Sequence, residues 1–173
     1  YEDGALGNAK ALITYGNALA INSAEQLGIV KSSSAGVLAL ATNGDLDLTG
    51  ANVSLGANGD YTYTGALTVD SEQGYRFGGS GNLTIDTNLD GSDTMVLDGQ
   101  GTTGSSVTFA REDAYAGSIV AGAGFNLDEK HSRGDIGIHV GHGEALASIK
   151  SMELQQGATL YTDGNSYPSL NSS

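Results

Sequence analysis

Apolar and polar residues alternate through GDYTYTGALTVDSEQGYRFGGSGNLTIDT (59–87) in short runs, YTYTG, ALTVD and NLTID, divided by glycine-rich corners. The same texture recurs in ALITY (11–15), GIVK (28–31), VLALA (37–41), LDLTG (46–50), NVSLG (52–56) and YRFGG (75–79). It continues in TMVLD (94–98), SVTFA (106–110), SIVAG (118–122), IGIHVG (136–141) and ATLYT (158–162). Runs of this length with a period of two, bounded by Gly, Asn, Asp or Ser, predict short β-strands. Helical spacing is confined to ALGNAKALI (5–13) and GEALASIKSMEL (143–154), and the latter reads equally as a strand pair. The chain is therefore expected to be all-β.

Asn-Gly at 43–44 and 58–59, with Asp-Gly at 90–91, 98–99 and 163–164, would suit the hairpins of an antiparallel sandwich. Similar segments also recur in two series. One runs through residues 61, 82, 106 and 125, and the other through LDLTG, YRFGG, TMVLDG, SIVAG and IGIHVG. A step of about twenty residues is the mark of a repeat architecture, here a parallel β-helix (solenoid) of about seven to nine coils. Inward side chains of one coil would stack on those of the next, placing Leu48, Val53, Leu67, Leu83, Val96 and Val107 in apolar ladders. Gly and Asn would turn the corners, because both tolerate positive φ.

Composition sharpens this picture. Glycine is 27 of 173 residues, about twice ordinary usage, yet it follows no three-residue period, which excludes collagen. Recurring Val, Ile and Leu supply a core, which argues against disorder despite a net charge of −13. There is no Cys, hence no disulfide, thiolate metal site or cysteine nucleophile. Seven basic residues against twenty acidic ones argue against nucleic acid and against an anionic lipid surface. No run is long and apolar enough to span a bilayer, so no membrane insertion of this segment is expected. YEDGALGNAK carries no basic-then-apolar leader signal, so the chain reads as either a mature form or an excised fragment.

Candidate chemistry is sparse. His139 and His142, in IHVGHG, lie three apart and face opposite sides of a strand unless Gly141 makes a bulge; with His131 they are read as exposed rather than as a metal site. Asp86, Asp90, Asp93 and Asp98, and the pair Asp45 and Asp47, raise calcium binding or acid–base work on a glycan. Turn residues that bond their own backbone explain them more simply. GGSGNL (78–83) has Leu83 where a calcium repeat needs Asp, so no metal dependence is expected. No G-x-S-x-G elbow and no GxxxxGK[ST] loop is present, so neither catalytic residues nor a cofactor are assigned. Tyr61 and Tyr63 share one strand face, as do Tyr75 and Phe77, and these four are the candidate surface contacts; stacking inside the coil is the competing reading.

The stretch from SSAGVLALATNGDLDLTG through YTYTGALTV to YRFGGSGNLTIDTNLDG (33–91) resembles the passenger domains of bacterial autotransporter adhesins. SVTFAREDAYAGSIVAGAGF (106–125) is similar to the passenger-associated repeat of that family, with AYAGSIV in place of the usual YTGGT.V. The resemblance implies a right-handed parallel β-helix displayed extracellularly on the outer membrane of a bacterial cell. It implies that residues 1–173 are a single segment of a longer surface protein acting in adhesion or self-association. Its partners would be a host-cell surface, extracellular matrix, or identical molecules on neighbouring cells, as in biofilm. The missing nucleophile, metal and cofactor motifs make the segment non-catalytic in expectation. A polysaccharide-acting β-helix enzyme or tailspike segment is the first alternative, and a subunit of an extracellular filament or surface layer the second.

Overall fold

The computed structural model describes residues 18–30, 36–98, 105–122, 136–155 and 157–162. Among the described residues fourteen strands form three sheets. The largest contains β1 (Ala18–Ile21), β2 (Val37–Leu40), β4 (Ser54–Gly56), β7 (Arg76–Phe77), β9 (Thr94–Leu97), β11 (Ser118–Ala121) and β13 (Ser151–Leu154), side by side in that order. A five-stranded sheet runs β5 (Asp60–Tyr63), β8 (Asn82–Ile85), β10 (Ser105–Phe109), β12 (Ile136–Val140) and β14 (Ala158–Thr162). The third pairs β3 (Leu46–Asp47) with β6 (Leu67–Thr68). Among the described residues every strand pair is parallel.

Parallel neighbours need a crossover between them; β1 and β2 have the 3-10 helix Ala24–Ile29 in theirs, and from β2 onward every crossover is a visit to another sheet. The Asn-Gly pairs at 43–44 and 58–59 and the Asp-Gly pair at 90–91 therefore turn corners between sheets rather than hairpins, and the sandwich is set aside. The glycines serve as expected, with Gly59 at φ 101° and Gly91 at φ 92°.

Register stacks like on like. Tyr61, Leu83, Val107, Ile138 and Leu160 are successive neighbours across the five-stranded sheet, as are Tyr63, Ile85, Phe109 and Val140. Leu38, Leu55, Phe77, Leu97 and Ala121 do the same in the seven-stranded sheet. These rows meet Leu46, Leu48 and Leu67 in one apolar cluster shared by all three sheets. Leu48, Val53, Leu67, Leu83 and Val107 are buried, as the alternation predicts. Val96 is not; it is half-buried, and its neighbours Met95 and Leu97 point inward instead. TMVLD alternates with either phase, so only packing decides which residues face in.

Other expectations are revised. The repeat step is uneven: 22 residues separate Asp60 from Asn82, 24 separate Asn82 from Ser106, and 33 separate Ser118 from Ser151. The second sequence series also mixes sheets, since LDLTG lies in the two-stranded sheet and IGIHVG in the five-stranded one. GIVK is the end of a 3-10 helix (Ala24–Ile29) leading to a single bridge at Val30, not a strand. Residues 143–148 form turns and only then give way to β13, so GEALASIKSMEL is neither one helix nor a strand pair. ALITY, ALGNAKALI and the repeat member beginning at 125 lie outside the described residues.

Candidate functional site

The four aromatic candidates are largely interior. Tyr63, Tyr75 and Phe77 are buried, which corrects their expected place at the surface, while Tyr61 is half-buried against the core and keeps part of its side chain accessible. Tyr75 and Phe77 stack with ring centroids 5.9 Å apart, and Phe77 meets Phe109 edge-on at 6.2 Å. A two-residue alternation fixes which residues share a face but not which face is inside. The interior reading is the correct one here because aromatic bulk fills the space between sheets.

Tyr63 shows what the buried rings do. Its hydroxyl lies 2.8 Å from the Gly44 carbonyl, 19 residues back, and 3.0 Å from the Ala66 carbonyl, three residues on. Tyr115 repeats this geometry with the carbonyls of Asp93 and Ser118. Each ring thus ties a corner of the chain to the corner stacked beneath it. Each is followed after one residue by glycine. A Cβ on Gly65 would fall 2.6 Å from the Gly44 carbonyl oxygen and 2.7 Å from the Tyr63 hydroxyl. One on Gly117 would collide with the Asp93 carbonyl and the Tyr115 ring. YTG (63–65) and YAG (115–117) are therefore one device, Tyr-x-Gly, in which the glycine vacates the space that the tyrosine needs.

Burial raises the ionisation of both tyrosines to about 12, helped at Tyr63 by the charge of Asp45 and at Tyr115 by that of Asp93. Because the folded value lies above the ordinary 10, this contribution to stability is full below pH 10 and is lost as pH rises through about 12. In an alkaline titration, tyrosinate absorbance is expected to develop in two stages, the later one coinciding with loss of β-sheet circular dichroism. Replacing Tyr63 and Tyr115 by Phe should remove part of the late stage and cost about 1–3 kcal/mol each at neutral pH, because buried carbonyls lose their donor. A single stage with full retention of structure would show that these hydroxyls are not buried.

The acidic residues serve mainly as acceptors. Asp45 Oδ1 accepts from the Ala66 N–H at 2.9 Å, and Asp47 Oδ1 from the Thr49 N–H at 3.0 Å; the Thr49 bonds hold the Asp47 carboxyl below its usual range. Asp90 lies 3.3 Å from the Tyr75 hydroxyl. Asp113, which the sequence reading did not single out, accepts from Leu146 and Tyr115 N–H groups, and burial nevertheless pushes its carboxyl up. Leu146, buried at φ 59°, is the non-glycine residue with positive φ among those described, and Asp113 anchors it across 33 residues. Asp90, Glu112 and Asp113, with Arg111, line a cleft of about 510 Å³. No group of three or more metal-ligating side chains occurs among the described residues. His131 lies outside them.

His139 and His142 part company. His142 is exposed and its Nδ1 accepts from the Glu144 N–H at 3.2 Å. His139 lies on the outer side of the five-stranded sheet, stacked on Tyr161 with ring centroids 4.5 Å apart and planes within 8°. Beside them is a shallow open trough of about 900 Å³ across the starts of β10, β12 and β14. Gly137 makes its floor: a Cβ there would stand 3.2 Å from the Tyr161 ring and 3.3 Å from His139 Nε2. Asn82, Ser106, Thr108 and Thr159 complete its polar lining. The sequence carried a faint signal for this place, a glycine and a histidine at alternate positions of IGIHVG, but Tyr161 joins them only through register.

Comparison with protein-family models, with curated proteins and with solved structures finds nothing that matches this chain.

Proposed function

We propose that the chain is a right-handed parallel β-helical segment of an autotransporter-type surface protein, non-catalytic, acting in adhesion or self-association at the outside of a bacterial cell. The observation that carries this reading is the strand pairing. From β2 onward the chain leaves a sheet, visits another, and returns in the same direction beside the strand it left. Repeated, this is advance along an axis, and crossovers between parallel strands of a sheet are nearly always right-handed. The Tyr-x-Gly corner adds support, because it recurs in both segments that resemble passenger repeats. A long side face offers many weak contacts, and display in many copies multiplies them.

A net charge of −13 makes copies repel at low salt, so self-association should strengthen as salt screens that charge. The test is light scattering of the protein and aggregation of cells displaying it across a salt series. Scattering and aggregation that rise with ionic strength are expected; indifference to salt, or dispersal by it, would overturn self-association. The polysaccharide-cleaving alternative draws on the cleft lined by Asp90, Glu112 and Asp113, since glycosidic cleavage commonly uses two carboxyl groups. Asp113 and Asp90 are committed to internal hydrogen bonds, which favours a structural role. Turnover of a polysaccharide that is abolished by Asp90→Asn would establish the enzyme instead.

A further inference from the structure

The geometry points to a binding site for an uncharged saccharide in the trough of the five-stranded sheet, with the His139–Tyr161 pair as its aromatic wall and Gly137 as its floor. Tyr161 is 50% exposed, an unusual degree for a large ring already stacked on a neighbour, so apolar ring surface remains open to a ligand. Gly137 is the position on β12 where the outward ladder Asp60–Asn82–Ser106 loses its side chain. The Tyr161 and His139 rings lean over that position, where a Cβ would meet them at 3.2 and 3.3 Å, so the glycine lets the two rings lie together at the floor of the trough.

The polarity of the lining defines the ligand further. The Ser106 hydroxyl donates to Asn82 Oδ1 at 2.9 Å, and Asn82 Nδ2 donates to Asp60 Oδ1 at 2.7 Å. This chain of donors ends on a carboxylate, so its direction is fixed. Having given its single proton away, Ser106 Oγ faces the trough as an acceptor. A ligand hydroxyl can donate to it, while the Thr108 and Thr159 hydroxyls can also donate in return. Sulfate and carboxylate groups bring no such donor, and among the described residues no Lys or Arg lines the trough to neutralise an anion on a chain of charge −13. A sugar ring supplies both requirements: a C–H face for the aromatic wall and hydroxyls for Ser106, Thr108 and Thr159. Among the described residues no carboxylate lines the trough, so binding without cleavage is what this lining provides.

This site deepens the surface-contact reading by naming a ligand class, and it rests on that reading only for its biological setting. The experiment is calorimetric titration of the full chain with soluble dextran, mannan and galactan, and with alginate as the acidic contrast. Binding to at least one neutral polymer is expected, weakened about tenfold or more by Tyr161→Ala and by Gly137→Val, and unchanged by Thr94→Ala on the seven-stranded sheet. Tyr161→Ala alters a half-exposed ring and keeps the test decisive if Gly137→Val does not fold. No binding to any of the three neutral polymers, tighter binding to alginate, or parental affinity in Tyr161→Ala would overturn the site. Salt-dependent self-association persisting in Tyr161→Ala would separate failure of this site from failure of the surface reading.

Discussion

Leu83→Asp is expected to unfold the protein under conditions where the parent is fully native. Leu83 is 1% exposed and sits between Tyr61 and Val107 in the inward ladder of the five-stranded sheet. The substitution removes the apolar volume and sets a carboxylate where the neighbours above and below are hydrocarbon or aromatic. Loss of a buried Leu side chain alone costs about 2–5 kcal/mol. An unpaired buried carboxyl adds to this until it takes up a proton, so the total should exceed about 4 kcal/mol. Because β8 lies between β5 and β10, damage there should propagate to both. Chemical denaturation followed by circular dichroism measures it. A midpoint within about half a kcal/mol of the parent would mean that Leu83 faces solvent.

Gly78→Ala should be nearly as harmful, for a different reason. Gly78 follows β7 at φ 150°, and its N–H bonds to the Leu55 carbonyl at 2.9 Å. A Cβ built there runs directly into the carbonyl of Asp98, which follows the neighbouring strand β9. Backbone is the obstacle, so no side-chain rotation relieves it. One layer away, a Cβ on Gly56 would strike the Gly78 carbonyl in turn. The corners at Gly56, Gly78 and Asp98 are thus stacked too closely for side chains on the first two. Gly91→Ala is the proper control, since Gly91 has φ 92° but open space around its Cβ position. Its cost should be about 1–2 kcal/mol, the penalty of a positive φ alone. Gly78→Ala should exceed it by at least about 2 kcal/mol, because the backbone must move. Equal losses in the two variants would show that the Asp98 carbonyl is not in the way.

Much of this protein is written in its local pattern. The period-two runs locate most of its strands, because a half-buried strand needs apolar residues on one side only. SVTFA and IGIHVG became β10 and β12 with the phase that their alternation implies. The glycine and asparagine corners were equally legible, since positive φ restricts the choice of residue whatever the fold. Where alternation is ambiguous, the sequence loses its hold. TMVLD offers Val96 as readily as Met95 and Leu97, and the packed ladder selects the latter two. ALAI (18–21) carries no polar alternation, and it is a strand because it finds β2 beside it.

The sequence by itself determined that the chain is all-β, built from short strands, turned by glycines and strongly acidic. Only the tertiary structure decided that all described pairs are parallel, that LDLTG and IGIHVG belong to different sheets, and that Tyr63, Tyr75 and Phe77 lie inside. It also brought Gly137, His139 and Tyr161 together, and linked the Tyr63 and Tyr115 hydroxyls to carbonyls about twenty residues away. The physical reason is the range of the forces. Alternation and φ preference act between adjacent residues and leave their mark in sequence. Which strand lies beside which, and which face turns inward, is fixed by burial summed over every layer, and no local segment records that sum.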